Sequence, residues 1–433
     1  MGHNKNNYNN KFNNNYDNKK NNNKNNLYFN PDNLKLKNFH EYKITVKTLT
    51  PVFVGSGEEL NKTMHIYDNK TKKVLIVHKK KLYNFLKKYE DKKIFEKFSE
   101  DCIKDNFTIS NFLDEIGCNY IISDFINGNK DDDSIFKYFL EYRDNNVIDN
   151  NNDNNELNVI NTFMKSSNVP YIPGSSIKGA IRTAIIADSI IKNKDKLKKY
   201  IEDKNIKELS NLENKVIEEF ILKDKKYINK NKLFNSIHVS DSDPIPIYYD
   251  EKEKQSNFFI GNRYDYSLKT NNILPMSIQL EFLKPNTLFT FYLSIDKFFS
   301  DIFNIEYILN SLNQYFNIYK KTIDLFPDVH TITKNQYHAY KDSENANIFI
   351  GGHNGYFTKN ILYSAGKFSG DNEGVEIKNI AEKIKKHIRK EEEYLVEDYD
   401  MEVSPRTLRF TKYDGLYYDI GICSIEKIEE IKI

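Results

Sequence analysis

Residues 170–186 read PYIPGSSIKGAIRTAII, and no other stretch constrains the fold as strongly. Ile177, Ala180, Ile181, Ala184 and Ile185 fall at spacings of 0, 3, 4, 7 and 8, which gathers them on one face of a helix that must be buried. Pro173 and Gly174 mark its start, and Ser175 or Ser176 is the expected N-cap. A helix start with unpaired amides, hydroxyls and a glycine is suited to anions. Lys178 and Arg182 lie four residues apart on a neighbouring face, where both can reach one phosphate backbone. The plainer alternative is a core helix with two solvated charges.

Around this helix the pattern is mixed. Residues 42–46 alternate as a half-buried strand, stopped by Pro51 and the glycines at 55 and 57. A strand, turn and strand follow over 64–78, turning at Asp68-Asn69-Lys70, with a Lys-rich amphipathic helix from about residue 80. Residues 92–160 read as helical and irregular, and Asp144–Asn155 as a solvated loop. Strands return at 236–240, 277–283 and 287–294, the last two joined as a hairpin through Lys284-Pro285-Asn286. A short strand at 347–350, a helix through Ile377, Ile380, Ala381, Ile384 and Ile388, and closing strands at 406–412 and 416–423 complete the expectation. Sixteen of the first 33 residues are Asn, a stretch that cannot repay its ordering entropy and reads as a disordered tail. The division expected is a tail over 1–39, a module over 40–230 with a helical insertion at about 92–160, and a second module over 231–433.

Charge excludes less than it permits. Lys plus Arg number 64 against 62 for Asp plus Glu, so any basic surface is local. Only six of those cations are Arg: 143, 182, 263, 389, 406 and 409. Arg offers a planar donor fork for phosphate oxygens, so positions that hold it against a lysine-rich background carry weight. Three cysteines without paired spacing argue against a disulfide framework or zinc knuckle, and no apolar run suits a membrane span. A cytoplasmic protein without metal or cofactor is expected.

Three further segments stand out. In TPVFVGSGEEL, Gly55, Ser56 and Gly57 follow a strand end and allow close backbone approach or an anion nest. In GGHNGYFTK, Gly351, Gly352 and Gly355 form a second glycine loop that lacks the Gly-Lys-Ser/Thr of a P-loop, with Tyr356 or Phe357 as a stacking face for a base. SPRTLRF holds Arg406 and Arg409.

Together with the VSDS segment at 239–242, these stretches resemble, in order and over residues 42–424, the 3′-end-capping RAMP subunit of the type III-A CRISPR effector (Csm) complex. The PGSSIKG element alone is common to RAMP proteins. The resemblance implies an α+β fold of modified RRM-like (ferredoxin-like) modules with antiparallel sheets and helical insertions. It implies a place beside the RAMP backbone subunits, contact with the 3′ part of the guide RNA (crRNA), and a part in crRNA 3′-end maturation by a nuclease supplied by other proteins, host nucleases among them. Carried over by position, Ser175, Ser176, Lys178 and Arg182 contact RNA or shape the contact, Gly55, Ser56, Gly57, Gly351, Gly352 and Gly355 supply backbone approach, and Arg406 is a further contact. Where relatives often have His, position 53 is Phe, which excludes a general base there.

No catalytic set emerges. Nine histidines are scattered without metal-ligand spacing, and His353, beside the glycine loop, is the single candidate for acid–base work. A binding subunit is the expected class, with a RAMP-fold endoribonuclease acting on guide precursor or target RNA, or a pure assembly protein, as the alternatives.

Overall fold

The computed structural model describes residues 38–432 except 89–91, 105–106, 129–133, 145–156, 158, 205–210, 224–232, 251, 268–269, 271, 327–328, 330–346 and 389–402. The Asn-rich tail, Arg389 and most of the loop at 144–155 lie outside the described residues. In chain order the main elements are β1 (Phe39–Thr48), β2 (Gly55–Leu60), β3 (His65–Asp68), β4 (Lys73–Val77), α1 (Lys79–Lys88), α2 (Lys92–Asp101), α3 (Ile109–Glu115), α4 (Tyr120–Ile126), β5 (Phe136–Tyr142), β6 (Ile160–Phe163), α5 (Gly174–Ile191) and α6 (Lys194–Asp203). There follow β7 (Ile237–Val239), β8 (Phe258–Ser267), β9 (Asn272–Leu283), β10 (Leu288–Asp296), α7 (Ile305–Ile323), β11 (Asn347–Phe349), α8 (Ile377–Ile388), β12 (Thr407–Tyr413), β13 (Leu416–Asp419) and β14 (Ile422–Ile431).

Two sheets organise these elements as an α+β fold. The first runs β11-β14-β1-β10-β7 and is antiparallel throughout. The second runs β2-β6-β9-β8-β5-β4-β3, with β12 also on β8 and β13 on β12. It is antiparallel except for short parallel pairings of β8 with β5 and β9 with β6. Because β1 sits between β10 and β14, both ends of the described chain build one sheet. Helix α5 buries Ile177, Ile181, Ala184 and Ile185 as its spacing requires, and it packs against α7. Helices α1, α3 and α4 close a separate apolar cluster over β3, β4 and β5.

Several expectations change. Residues 92–160 contain strand β5 as well as helices, and β6 starts at residue 160; FKYFLEY is buried at five of its seven positions, so it lacks the alternation that signals a half-buried strand. Asp144 is buried, with Tyr264 donating its hydroxyl and Asn262 its amide at 3.0 Å. The glycines at 55 and 57 lie within strand β2 and not in a loop. The closing segment splits, β13 staying in the second sheet while β14 enters the first. The expected hairpin through 284–286 is a corner between sheets: β9 and β10 do not pair. Thr48 accounts for this. Its backbone carbonyl accepts from the Asn286 amide at 2.6 Å, and its Oγ1 donates to the Lys284 carbonyl at 2.6 Å and accepts from the Thr287 amide at 2.9 Å.

Thr48 and Thr287 are both buried. The Thr48→Val variant therefore leaves the Thr287 amide without a partner, and a stability loss of about 1–3 kcal/mol is expected. Urea unfolding should show a lower midpoint at unchanged slope.

Candidate nucleic-acid interface

Helix α5 begins two to three residues earlier than an N-cap at Ser175 or Ser176 would place it. Gly174 is its first residue, Pro173 occupies the N-cap position, and neither Ser175 nor Ser176 caps it. A carboxylate from elsewhere does that work: Asp241 Oδ1 accepts the Gly174 amide at 2.8 Å. Gly174 has no room for a side chain, since a Cβ there would come within 2.3 Å of the Val239 carbonyl oxygen. Ser242 fixes the approach by accepting the Ile172 amide at 2.9 Å through Oγ and donating its own amide to the Ile172 carbonyl. The VSDS segment and the PGSSIKG segment are thus one packed unit, with Asp241 as the cap.

Beyond this tip, Ser175 and Gly179 are exposed and Lys178 is half-buried. Burial lowers the Lys178 pKa from its ordinary value. Arg182 is not equivalent to it: its guanidinium pairs with Glu213 at 2.6 Å and lies over the Phe234 ring. The two cations expected to act together therefore differ, one held inside the protein's own contacts and one presented.

The two glycine-rich segments meet each other. The Phe53 carbonyl accepts the Gly352 amide at 2.8 Å, and a Cβ on Gly351, whose φ is +96°, would come within 2.1 Å of that carbonyl oxygen. Only glycine fits there. Gly55 lies just past the Phe53 ring, Gly57 is exposed, and the Ser56 hydroxyl is used internally, paired with Thr162 Oγ1 at 2.6 Å and accepting the Glu58 amide at 2.9 Å. Gly355 is half-buried, with open space where a side chain would stand. This clamp connects to the approach of α5 through the Met164 amide on the Val54 carbonyl and the Tyr171 amide on the Met164 carbonyl.

Strands β8 and β12 bring cations to the same loop. Arg263, Asp265 and Arg409 share one face, because 263 and 265 are two apart and Asp265 stands opposite Arg409 in register. Arg263 Nη1 lies 3.4 Å from His353 Nδ1, and the imidazole packs edge-on to the Phe53 ring at 5.3 Å. Burial, then Arg263, Arg409 and Lys359, depress the His353 pKa to about 4, which leaves the ring neutral at physiological pH. Arg406 precedes β12, half-buried and already engaged by a partner. Sequence reasoning missed Arg263, Arg409 and Lys359 as a group. Retention of Arg at 263 and 409 was the available signal; the register that joins them was not readable.

Among the described residues no group of three or more His, Cys, Asp or Glu side chains could hold a metal, and no helix is long and apolar enough to cross a membrane.

The chain has known relatives. The model of the RAMP superfamily matches residues 45–390, and the chain belongs to that superfamily. Within it, the chain is similar to two proteins named CRISPR system Cms protein Csm5. It is 31% identical to the one from Streptococcus thermophilus over 258 residues, 58% of this chain and 63% of that protein. It is 26% identical to the one from Methanocaldococcus jannaschii over 273 residues, 60% of this chain and 54% of that protein. The matches thus span less than two thirds of either relative's length. The fold is shared with a chain in the cryo-EM structure of a Csm–crRNA–target RNA ternary complex of a type III-A CRISPR-Cas system, at TM-score 0.56 and 14% identity, covering 89% of this chain and 100% of that one. It is also shared with the crystal structure of T. onnurineus Csm5, at TM-score 0.53 and 15% identity, covering 88% and 100%.

The buried His65 and half-buried His353 imidazoles give a pH dependence. His353 and His65 both have folded pKa values of about 4, against 6.5 for an unperturbed imidazole, so the unfolded chain takes up protons first as pH falls. Their contribution to stability is complete above about pH 6.5 and declines as pH falls toward about 4. Thermal melts between about pH 7 and pH 5 should show this decline, and His353→Asn, which tolerates the positive φ of 57° at that position, should weaken it.

Proposed function

We propose that this chain is a guide-RNA-binding subunit of a cytoplasmic type III-A CRISPR interference complex, seated at the 3′ end of the crRNA next to the RAMP backbone subunits. In this reading it cuts no RNA itself and assists 3′-end maturation by positioning the guide for a nuclease from elsewhere. The observation that carries it is convergence. Segments at 51–57, 351–359 and 404–410, remote in sequence, meet at one glycine clamp flanked by cations, a construction suited to backbone approach and phosphate contact. The Csm5 relatives and the superfamily assignment support it. The exposed positions of α5, Ser175, Lys178 and Gly179, extend the proposed contact beyond the clamp. Arg182, Ser56 and Arg406 then act by shaping the surface, since their own groups are engaged within the protein, and Ser176 and Gly55 flank the proposed contact.

The test is binding of a labelled single-stranded guide RNA by the purified chain across a range of salt. Lys178→Glu is expected to weaken binding to RNA of any sequence and to lower the slope of log K against log salt by about 0.7, the share of one phosphate on a single strand. A folded Lys178→Glu protein with parental affinity and slope would remove the helix tip from the site. Incubation with guide precursor alone is expected to give no cleavage; specific cuts lost in His353→Ala would favour the endoribonuclease alternative.

A further inference from the structure

A cavity of about 340 Å³ opens beside the glycine clamp, lined by His353, Asn354, Gly355, Tyr356, Lys359, Asn360 and Arg409. Its charge is not balanced among the described residues. Asp265 is the carboxylate across from Arg409, but Arg263 takes both of its oxygens, Nε on Oδ1 at 3.0 Å and Nη2 on Oδ2 at 3.2 Å. Neither Arg409 nor Lys359 has an ion-pair partner among the described residues, whereas Lys165, Lys194, Arg143, Arg182 and Lys284 all have one. Both cations are held below their ordinary pKa, Arg409 by burial and then by Arg263, Lys359 by burial and then by Arg409. Like charges gathered in a partly desolvated site, with the neighbouring carboxylate already spent, cost stability unless an anion arrives.

A second group asks for something else. Asn354 is 7% exposed, and its side-chain Oδ1 is buried with no hydrogen-bond partner among the described residues. A buried acceptor left unpaired is costly, and a bare oxyanion cannot satisfy it. The occupant should therefore bring both an anion and an O–H or N–H donor. The volume, at the low end for small organic ligands, also exceeds what an anion alone needs.

Resting on the RNA-binding reading above, we propose that this cavity holds one nucleotide unit of the bound RNA strand, its phosphate on Arg409 and Lys359 and its ribose hydroxyl or base N–H toward Asn354. Arg263 then serves as a positioning residue that occupies Asp265 and leaves Arg409 available. The contact belongs to a different part of the surface from Lys178 and can be removed separately.

The experiment compares the full-length chain with Arg409→Gln, Lys359→Gln and the charge-keeping Arg409→Lys. It uses a labelled single-stranded RNA, a DNA strand of the same sequence, adenosine monophosphate and inorganic phosphate. Loss of each cation is expected to weaken RNA binding by about tenfold, Arg409→Lys by less, and the double Gln variant to lower the salt slope by about 0.7. Thermal melting of the RNA-free Gln variants is expected at or above the parental temperature, because repulsion is relieved, an outcome a structural role for these side chains would reverse. RNA is expected to bind more tightly than the DNA strand. If the folded Gln variants bind RNA as the parent does while Lys178→Glu weakens it, the cavity proposal falls and the RNA-binding reading stands. If phosphate or the mononucleotide binds in a variant-sensitive way and RNA binding is unaffected, the cavity is a small-anion site and the proposal is overturned. If no RNA binds even to the parent chain, the broader reading fails first.

Discussion

Residues 48–54 are held by backbone hydrogen bonds at every position, each to a segment distant in sequence. The Thr48 amide donates to Thr287, Leu49 and Thr50 to Ile422, and Val52 exchanges bonds with Leu283; the Pro51, Phe53 and Val54 carbonyls accept from Gly421, Gly352 and Met164. This short run is where the chain leaves the first sheet for the second. Its neighbours come from the corner at 284–287, the glycine loop at 351–352, the β13–β14 turn and the approach to α5. The run ties these parts of the chain to one place, and the relative position of the candidate site's glycine segments follows from it. Two of the close approaches demand glycine: at Gly351 against Phe53, and at Gly421, φ +90°, against the Ile350 carbonyl. Backbone packed against backbone leaves no room for adjustment by rotamers, so the clamp is stiff by construction.

How much of this was legible in the sequence depended on how local the cause was. The buried face of α5, the β3–β4 turn at Asp68-Asn69 and the spacing of α8 are set within a few residues, and the pattern announces them. Strand β8, central to the second sheet, was not anticipated: its first seven positions are all buried, so both faces are covered and FFIGNRYDYS shows no alternation. The corner at 284–286 shows the complementary failure. Its turn residues promised a hairpin, and the deciding partner, Thr48, lies more than two hundred residues away. The site divides in the same manner. The glycine segments were singled out because glycine is scarce in this chain and marks close approach. That Asp241 caps α5, that Glu213 holds Arg182 and that Asp265 faces Arg409 are matters of register and packing, which one sequence does not display.

The two anion contacts proposed above are resolved in opposite ways. At the start of α5, the amide and dipole that favour negative charge are already satisfied by Asp241, so the helix tip presents Ser175 and Lys178 to its surroundings while its first amide stays occupied. At the β8–β12 face the neighbouring carboxylate is consumed by Arg263, and Arg409 is left without one. An internal acid at the first place stabilises the fold whatever is bound; the lack of one at the second costs stability until an external acid is present. Cores and caps tend to be satisfied from within, and a chain of this length had carboxylates enough to balance the second place too. The unbalanced charge is therefore better explained by what the protein binds than by how it folds.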